Sequence, residues 1–174
     1  MAGLMIGRFQ PFHNGHLRVV RWIAKKESRI IIAIGSAQES HTLEDPFTAG
    51  ERYEMIYEAL KNEGIKELFI IPVEDLNRNS LWIAHVLSLS PPFDRVYTNN
   101  PLVNKLFKEY GPGIEIVHPP IFRRNTLTGR KIREFMAEGK EWRSYVPEGV
   151  ANIIDHINGP QRLKDIAGSD EIEG

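Results

Sequence analysis

The segment RIIIAI, residues 29–34, is apolar at five consecutive positions. A strand with one wet face alternates apolar and polar residues, because successive side chains point to opposite faces. This run does not alternate, so as a strand it must be covered on both sides. Helices packed on both faces of a parallel sheet give that cover. The rest of the chain carries the matching alternation. GLMIG (3–7), ELFIIPV (67–73), DRVYT (94–98) and IEIV (114–117) read as further strands. Helical patterns separate them at 16–26, about 48–62, 79–89 and 100–110. Thr48 with Glu51 has capping-box spacing, Asn79 or Ser80 is the expected cap of the third helix, and Pro101 sits in the first turn of the fourth. After the last strand come the loop HPPIFRRNTL and helices at about 128–138, 147–157 and 161–167. The expectation is an α/β fold: a parallel sheet of five or six strands with helices on both faces. Residues 1–167 read as one domain, and GSDEIEG, 168–174, as an acidic, disordered tail.

Composition removes several classes of function. Aspartate and glutamate (23) balance lysine and arginine (22), so there is no basic field of the kind that attracts nucleic acid. The absence of cysteine excludes disulfides, thiolate metal sites and cysteine nucleophiles. No apolar run approaches the roughly 18–20 residues of a membrane span. The first residues lack a charged-then-apolar targeting segment, so a cytoplasmic location is expected.

Ligands of doubly wound sheets bind beyond the carboxyl ends of the strands, near the switch in strand order. The loops after the first, second and fifth strands are therefore the candidates. The first is GRFQPFHNGH, residues 7–16. Gly7 permits close backbone approach, Pro11 stiffens the turn, and His16 falls at a helix start, where free N–H groups and the dipole favour an anion. The loop after the fifth strand leads into FRRNTLTGRKIRE, with Arg123, Arg124, Arg130, Lys131 and Arg133 within eleven residues. Thr128 and Gly129 stand at the next helix entry. Two anion sites, expected on adjacent strand ends, suit a polyphosphate and a phosphorylated partner. Neither G-x-x-x-x-G-K-[ST] nor G-x-G-x-x-G occurs in the chain.

H-x-G-H after a first strand, with a Thr-rich, Ile-Arg-containing segment after a late strand, resembles the nucleotidyltransferase superfamily. GRFQPFHNGH, IGSAQESHTLEDPFTAGER, PPFDRVYTNNPLVNKLF and WRSYVPE together resemble the archaeal-type nicotinamide-nucleotide adenylyltransferases, from about Gly3 to Leu163. The resemblance implies a Rossmann-like nucleotidyltransferase fold. It also implies transfer of AMP from ATP, with Mg²⁺, to nicotinamide mononucleotide, releasing pyrophosphate and giving NAD. Arg8, His13, His16 and Arg133 would meet the ATP phosphates, within an ATP site of Gly7, Arg8, Phe9, Gln10, His13, Gly15, His16, Thr128, Arg130 and Arg133. Asn79 and Trp82 would face the nicotinamide ring. No metal ligand is assigned, and a homo-oligomer, with a hexamer as the candidate, is implied. Where the family usually has Ser-Gly-Thr, this chain has Thr128-Gly129-Arg130, so a long cation replaces a small donor. The alternative within the superfamily is a transferase acting on phosphopantetheine, a flavin mononucleotide or an alcohol phosphate.

Simpler readings stand beside these. His13 and His16 have a spacing that also suits a metal pair or a structural pair, but no carboxylate or third histidine lies close in sequence. His41 is as readily an exposed loop residue as a site residue. Trp82 and His85 suit core packing, and Arg52 reads as an ordinary helix charge. Glu44-Asp45 could meet magnesium, yet Mg²⁺ on nucleotides leans on phosphates and water.

Overall fold

A computed structural model describes residues 1–122 and 128–173. Among these, five strands form one parallel sheet: β1 (Ala2–Gly7), β2 (Arg29–Ile34), β3 (Glu67–Pro72), β4 (Arg95–Tyr97) and β5 (Glu115–Val117). Their order is β3-β2-β1-β4-β5. The chain builds outward from β1 to β3, then returns past β1 to lay down β4 and β5. The direction of winding therefore reverses between β1 and β4, and that is where a ligand crevice opens in such sheets.

The two faces of β2 explain its uninterrupted apolar run. Ile30, Ile32 and Ile34 pack into one core, with α1 (Asn14–Ala24), α2 (Ala49–Leu60), α5 (Gly129–Ala137) and α6 (Glu148–His156) contributing Val20, Met55, Ile132 and Ile154. Ile31 and Ala33 face the other core, where α3 (Asn79–Leu89) and α4 (Pro101–Tyr110) contribute Ile83, Val86, Leu106 and Phe107. All five β2 side chains are fully buried, and each isoleucine contributes roughly 1.5–3 kcal/mol of apolar transfer.

The predicted helix starts hold with three changes, at α1, α3 and the last helix. Thr48 and Glu51 form the reciprocal capping box of α2, at 2.9 and 3.2 Å. The cap of α3 is neither Asn79 nor Ser80: Arg78 occupies the cap position without a side-chain bond, and Asn79 is the first helical residue. The first helix begins at Asn14 rather than near His16, because His13 caps it. The last helix, α7, runs Gly159–Glu173, past Ala167 and into the acidic stretch expected as a disordered tail. No helix among the described residues is long and apolar enough to cross a membrane.

Candidate active site

The turn between β1 and α1 is built around buried aromatic rings. Phe9 adopts a left-handed φ of 53° and is almost fully buried. Its ring lies over the backbone of Gly7, where a Cβ would stand only 2.9 Å from it. Gly7 thus makes room for Phe9. His16 meets Phe9 edge-on at 4.9 Å, lies 5.4 Å from Phe12, and stacks on His13 at 3.6 Å. Gln10 is buried, pairing its amide with the Phe47 backbone in both directions, at 2.9 and 3.0 Å. Of the expected ATP contacts, Phe9 and Gln10 are therefore inside the fold, where they position the turn.

The two histidines form a reciprocal cap. His13 Nδ1 accepts from the backbone N–H of Gly15 at 3.1 Å and of His16 at 3.4 Å. His16 Nδ1 accepts from the His13 backbone N–H at 3.2 Å. An imidazole that accepts at Nδ1 carries its proton at Nε2. Both rings are thus fixed as neutral Nε2–H donors. Burial pulls His13 down to about 4, and burial followed by the neighbouring His13 holds His16 well below the ordinary histidine range. Asn14 ties the same turn to the WRSYVPE segment through the Ser144 carbonyl, at 3.0 Å.

Charge is brought to this turn from two sides. Arg8 is half-exposed, 3.2 Å from Asp45 and 3.7 Å from Glu44. Arg133 reaches across from α5 and donates to the Gln10 carbonyl at 2.7 Å and the Leu43 carbonyl at 3.0 Å. Thr128 caps α5 by accepting from Lys131 N–H. Gly129 lies against Gln10, where a Cβ would stand 3.1 Å from its carbonyl oxygen. The two predicted anion loops are therefore in direct contact. Arg130 is the exception: its side chain is 84% exposed and pairs with Glu134 at 3.2 Å along the helix. Arg123 and Arg124 lie outside the described residues. Among the described residues, no group of three or more His, Asp or Glu could hold a metal ion.

Beside the turn, at the β1/β4 switch, opens a cleft of about 380 Å³. Gly7, Arg8, Gly35 and Ser36 line it together with Asn79 and Trp82 from α3. The structure thus brings Asn79 and Trp82 to the same cleft as the first loop. Trp82 is also core: it is 9% exposed and meets Phe107 edge-on at 6.4 Å. Sequence reasoning missed Asp75, Leu76, Asn100 and Val103, which complete the walls from the segments after β3 and β4. Asn100 caps α4, and the Asn-Pro pair before that helix was the available signal. His41 pairs with Ser40 on an exposed loop, and His118 donates from Nδ1 to the Thr98 carbonyl at 2.9 Å, pinning the ends of β4 and β5 together.

Residues 4–135 match the cytidylyltransferase-like family. The fold and the site accordingly define a nucleotidyltransferase. The chain is 55% identical to the nicotinamide-nucleotide adenylyltransferase of Archaeoglobus fulgidus, over 98% of this chain and 99% of that one. It is 49% identical to the enzyme of the same name from Picrophilus torridus, over 98% and 100% of the two chains. It belongs to the nicotinamide-nucleotide adenylyltransferase family. Among solved structures it is similar in fold to a bifunctional NMN adenylyltransferase/ADP ribose pyrophosphatase from Francisella tularensis, complexed with AMP and a manganese ion. The TM-score is 0.79 at 21% identity, covering 98% of this chain and 53% of that one.

Proposed function

We propose that this chain transfers AMP from Mg²⁺-bound ATP to the phosphate of nicotinamide mononucleotide, by direct in-line attack without a covalent intermediate. A phosphate oxygen of the mononucleotide attacks the α-phosphorus, the bond from that phosphorus to the β-phosphate oxygen breaks, and pyrophosphate leaves as NAD forms. The nucleophile is already ionised at pH 7, so no general base is required. The observation that carries this reading is the tautomeric lock on His13 and His16. Groups fixed as neutral N–H donors cannot take a proton readily, but they can stabilise charge on phosphate oxygens.

Magnitudes support the assignment. Alignment of two bound reactants supplies up to about 7–11 kcal/mol, and each preorganised donor about 2.7–4. A 10⁶-fold acceleration needs only about 8 kcal/mol. Arg8 and Arg133 add cationic donors at the same turn. Mg²⁺ arrives with ATP as part of the substrate, held by phosphate oxygens and water. The cleft beside Asn79 and Trp82 takes the nicotinamide end, with both residues facing the ring. The proposal includes a cytoplasmic homo-oligomer, for which the exposed Leu81, Leu87 and Leu89 of α3 offer apolar surface. Sedimentation velocity reads its size.

The direct test is incubation of the purified chain with Mg-ATP and nicotinamide mononucleotide. NAD is read with a coupled dehydrogenase and pyrophosphate is measured in parallel. NAD and pyrophosphate appear in equal amounts if the reading holds. An ATP pool that stays intact, with no NAD formed, rejects it.

A further inference from the structure

Arg52 has no part in the site as described, yet it is the largest fully buried side chain in the molecule's described residues. We propose that it is a positioning residue for adenylyl transfer, fixing the loops after β1 and β2 to each other so that the two substrates are held in line. All five N–H donors of its guanidinium are taken by backbone carbonyls. Nη1 donates to Arg8 and to Gly35, each at 2.9 Å. Nη2 donates to Ser36 at 3.0 Å and to Glu39 at 3.3 Å. Nε donates to Thr48 at 3.2 Å.

Among the described residues, no carboxylate hydrogen-bonds this cation. Placing an unpaired charge in the interior is costly, and burial indeed lowers the Arg52 pKa. A carbonyl cage suits a residue whose task is to hold backbone. Lysine has one nitrogen and three donors, so it cannot span the same five oxygens.

The backbone it holds is unusual. The Arg8 carbonyl leads into Phe9 at φ 53°, and Ser36 itself has φ 47°. Both are left-handed conformations that residues with a Cβ rarely adopt, and they persist only where the surroundings over-determine them. Arg8 and Phe9 lead to the His13–His16 pair, while Gly35 and Ser36 line, with Arg8, the cleft shared with Asn79 and Trp82. One guanidinium therefore joins the polyphosphate side of the site to the mononucleotide side. Loosening that joint leaves each substrate its own contacts but misaligns the pair, and misalignment is felt in the transition state more than in either binding step.

The inference rests on the proposed activity, so the wild-type chain is assayed first. Failure to make NAD there rejects the activity, which is a different outcome from an Arg52 variant that works normally. In Arg52→Lys, kcat falls by about 10- to 100-fold. The KM values for ATP and for the mononucleotide, and their separate affinities by calorimetry, stay within about threefold of wild type. In Arg52→Ala the loss is larger and is partly restored by added methylguanidine. Val150→Ala, a core change in α6, loses thermal stability but keeps kcat. The proposal is overturned if Arg52→Lys turns over at the wild-type rate, or if Val150→Ala loses kcat in step with its stability as the Arg52 variants do. It is equally overturned if both Arg52 variants are unfolded at reduced temperature, which would leave the residue a role in folding alone.

Discussion

The two loops that converge on the candidate phosphate site use similar residue types and hold them differently. In Gly7–His16, aromatic rings pack against His16, Gln10 is paired with Phe47, and both imidazoles accept from backbone N–H groups. In Thr128–Arg133, two arginines lie three residues apart on one helix and have opposite fates. Arg133 is anchored on the Gln10 and Leu43 carbonyls, whereas Arg130 stands in solvent beside Glu134. A cation's value to a site lies in what orients it. An exposed arginine loses orientational freedom when it meets a phosphate, while a braced one is already in place. In the proposed reaction the first loop serves as a preorganised donor array, and the second contributes one braced charge.

That difference orders the expected effects. His16→Ala removes a preorganised donor and should lower kcat by about 10²–10³-fold with little change in the KM for ATP. A variant retaining wild-type turnover in steady-state kinetics would remove His16 from the chemistry. Arg133→Ala cuts the tie between the loops and should lower kcat/KM for ATP by about 10²-fold; an undiminished value would mean that the two loops work independently. Trp82→Ala should raise the KM for the mononucleotide by roughly tenfold, the size of an aromatic contact, and leave that for ATP nearly unchanged. A defect confined to ATP would contradict the placement of the ring. Arg130→Ala should change every kinetic constant by less than about twofold, as suits an exposed helix pair. A large loss there would erase the distinction between the two arginines.

Much of this was legible in the chain. The unbroken apolar run of β2 required two covered faces, and both cores supply them. H-x-G-H after β1 placed the histidines at the ligand end of the sheet. The His13 cap was not legible, because histidine is an uncommon cap and only the fold shows its Nδ1 accepting two N–H groups. Arg52 looked like an ordinary helix charge. Its burial depends on carbonyls from the β1, β2 and α2 segments, which no local pattern brings together. Asp75 and Asn100 were missed for a related reason. They line the cleft because winding reverses between β1 and β4, and sequence order does not disclose strand order. The loop after β5 was expected to matter as much, and its Arg123 and Arg124 lie outside the described residues.

The central claim is that His13 and His16 act as neutral donors from Nε2. Nitrogen-15 NMR of the imidazole rings in the ligand-free protein tests it most directly. Both rings should show the neutral Nε2–H tautomer at pH 7, with His13 titrating near 4 and His16 well below the ordinary histidine range. An Nδ1–H tautomer, or titration of either ring at the ordinary histidine value, would contradict the account.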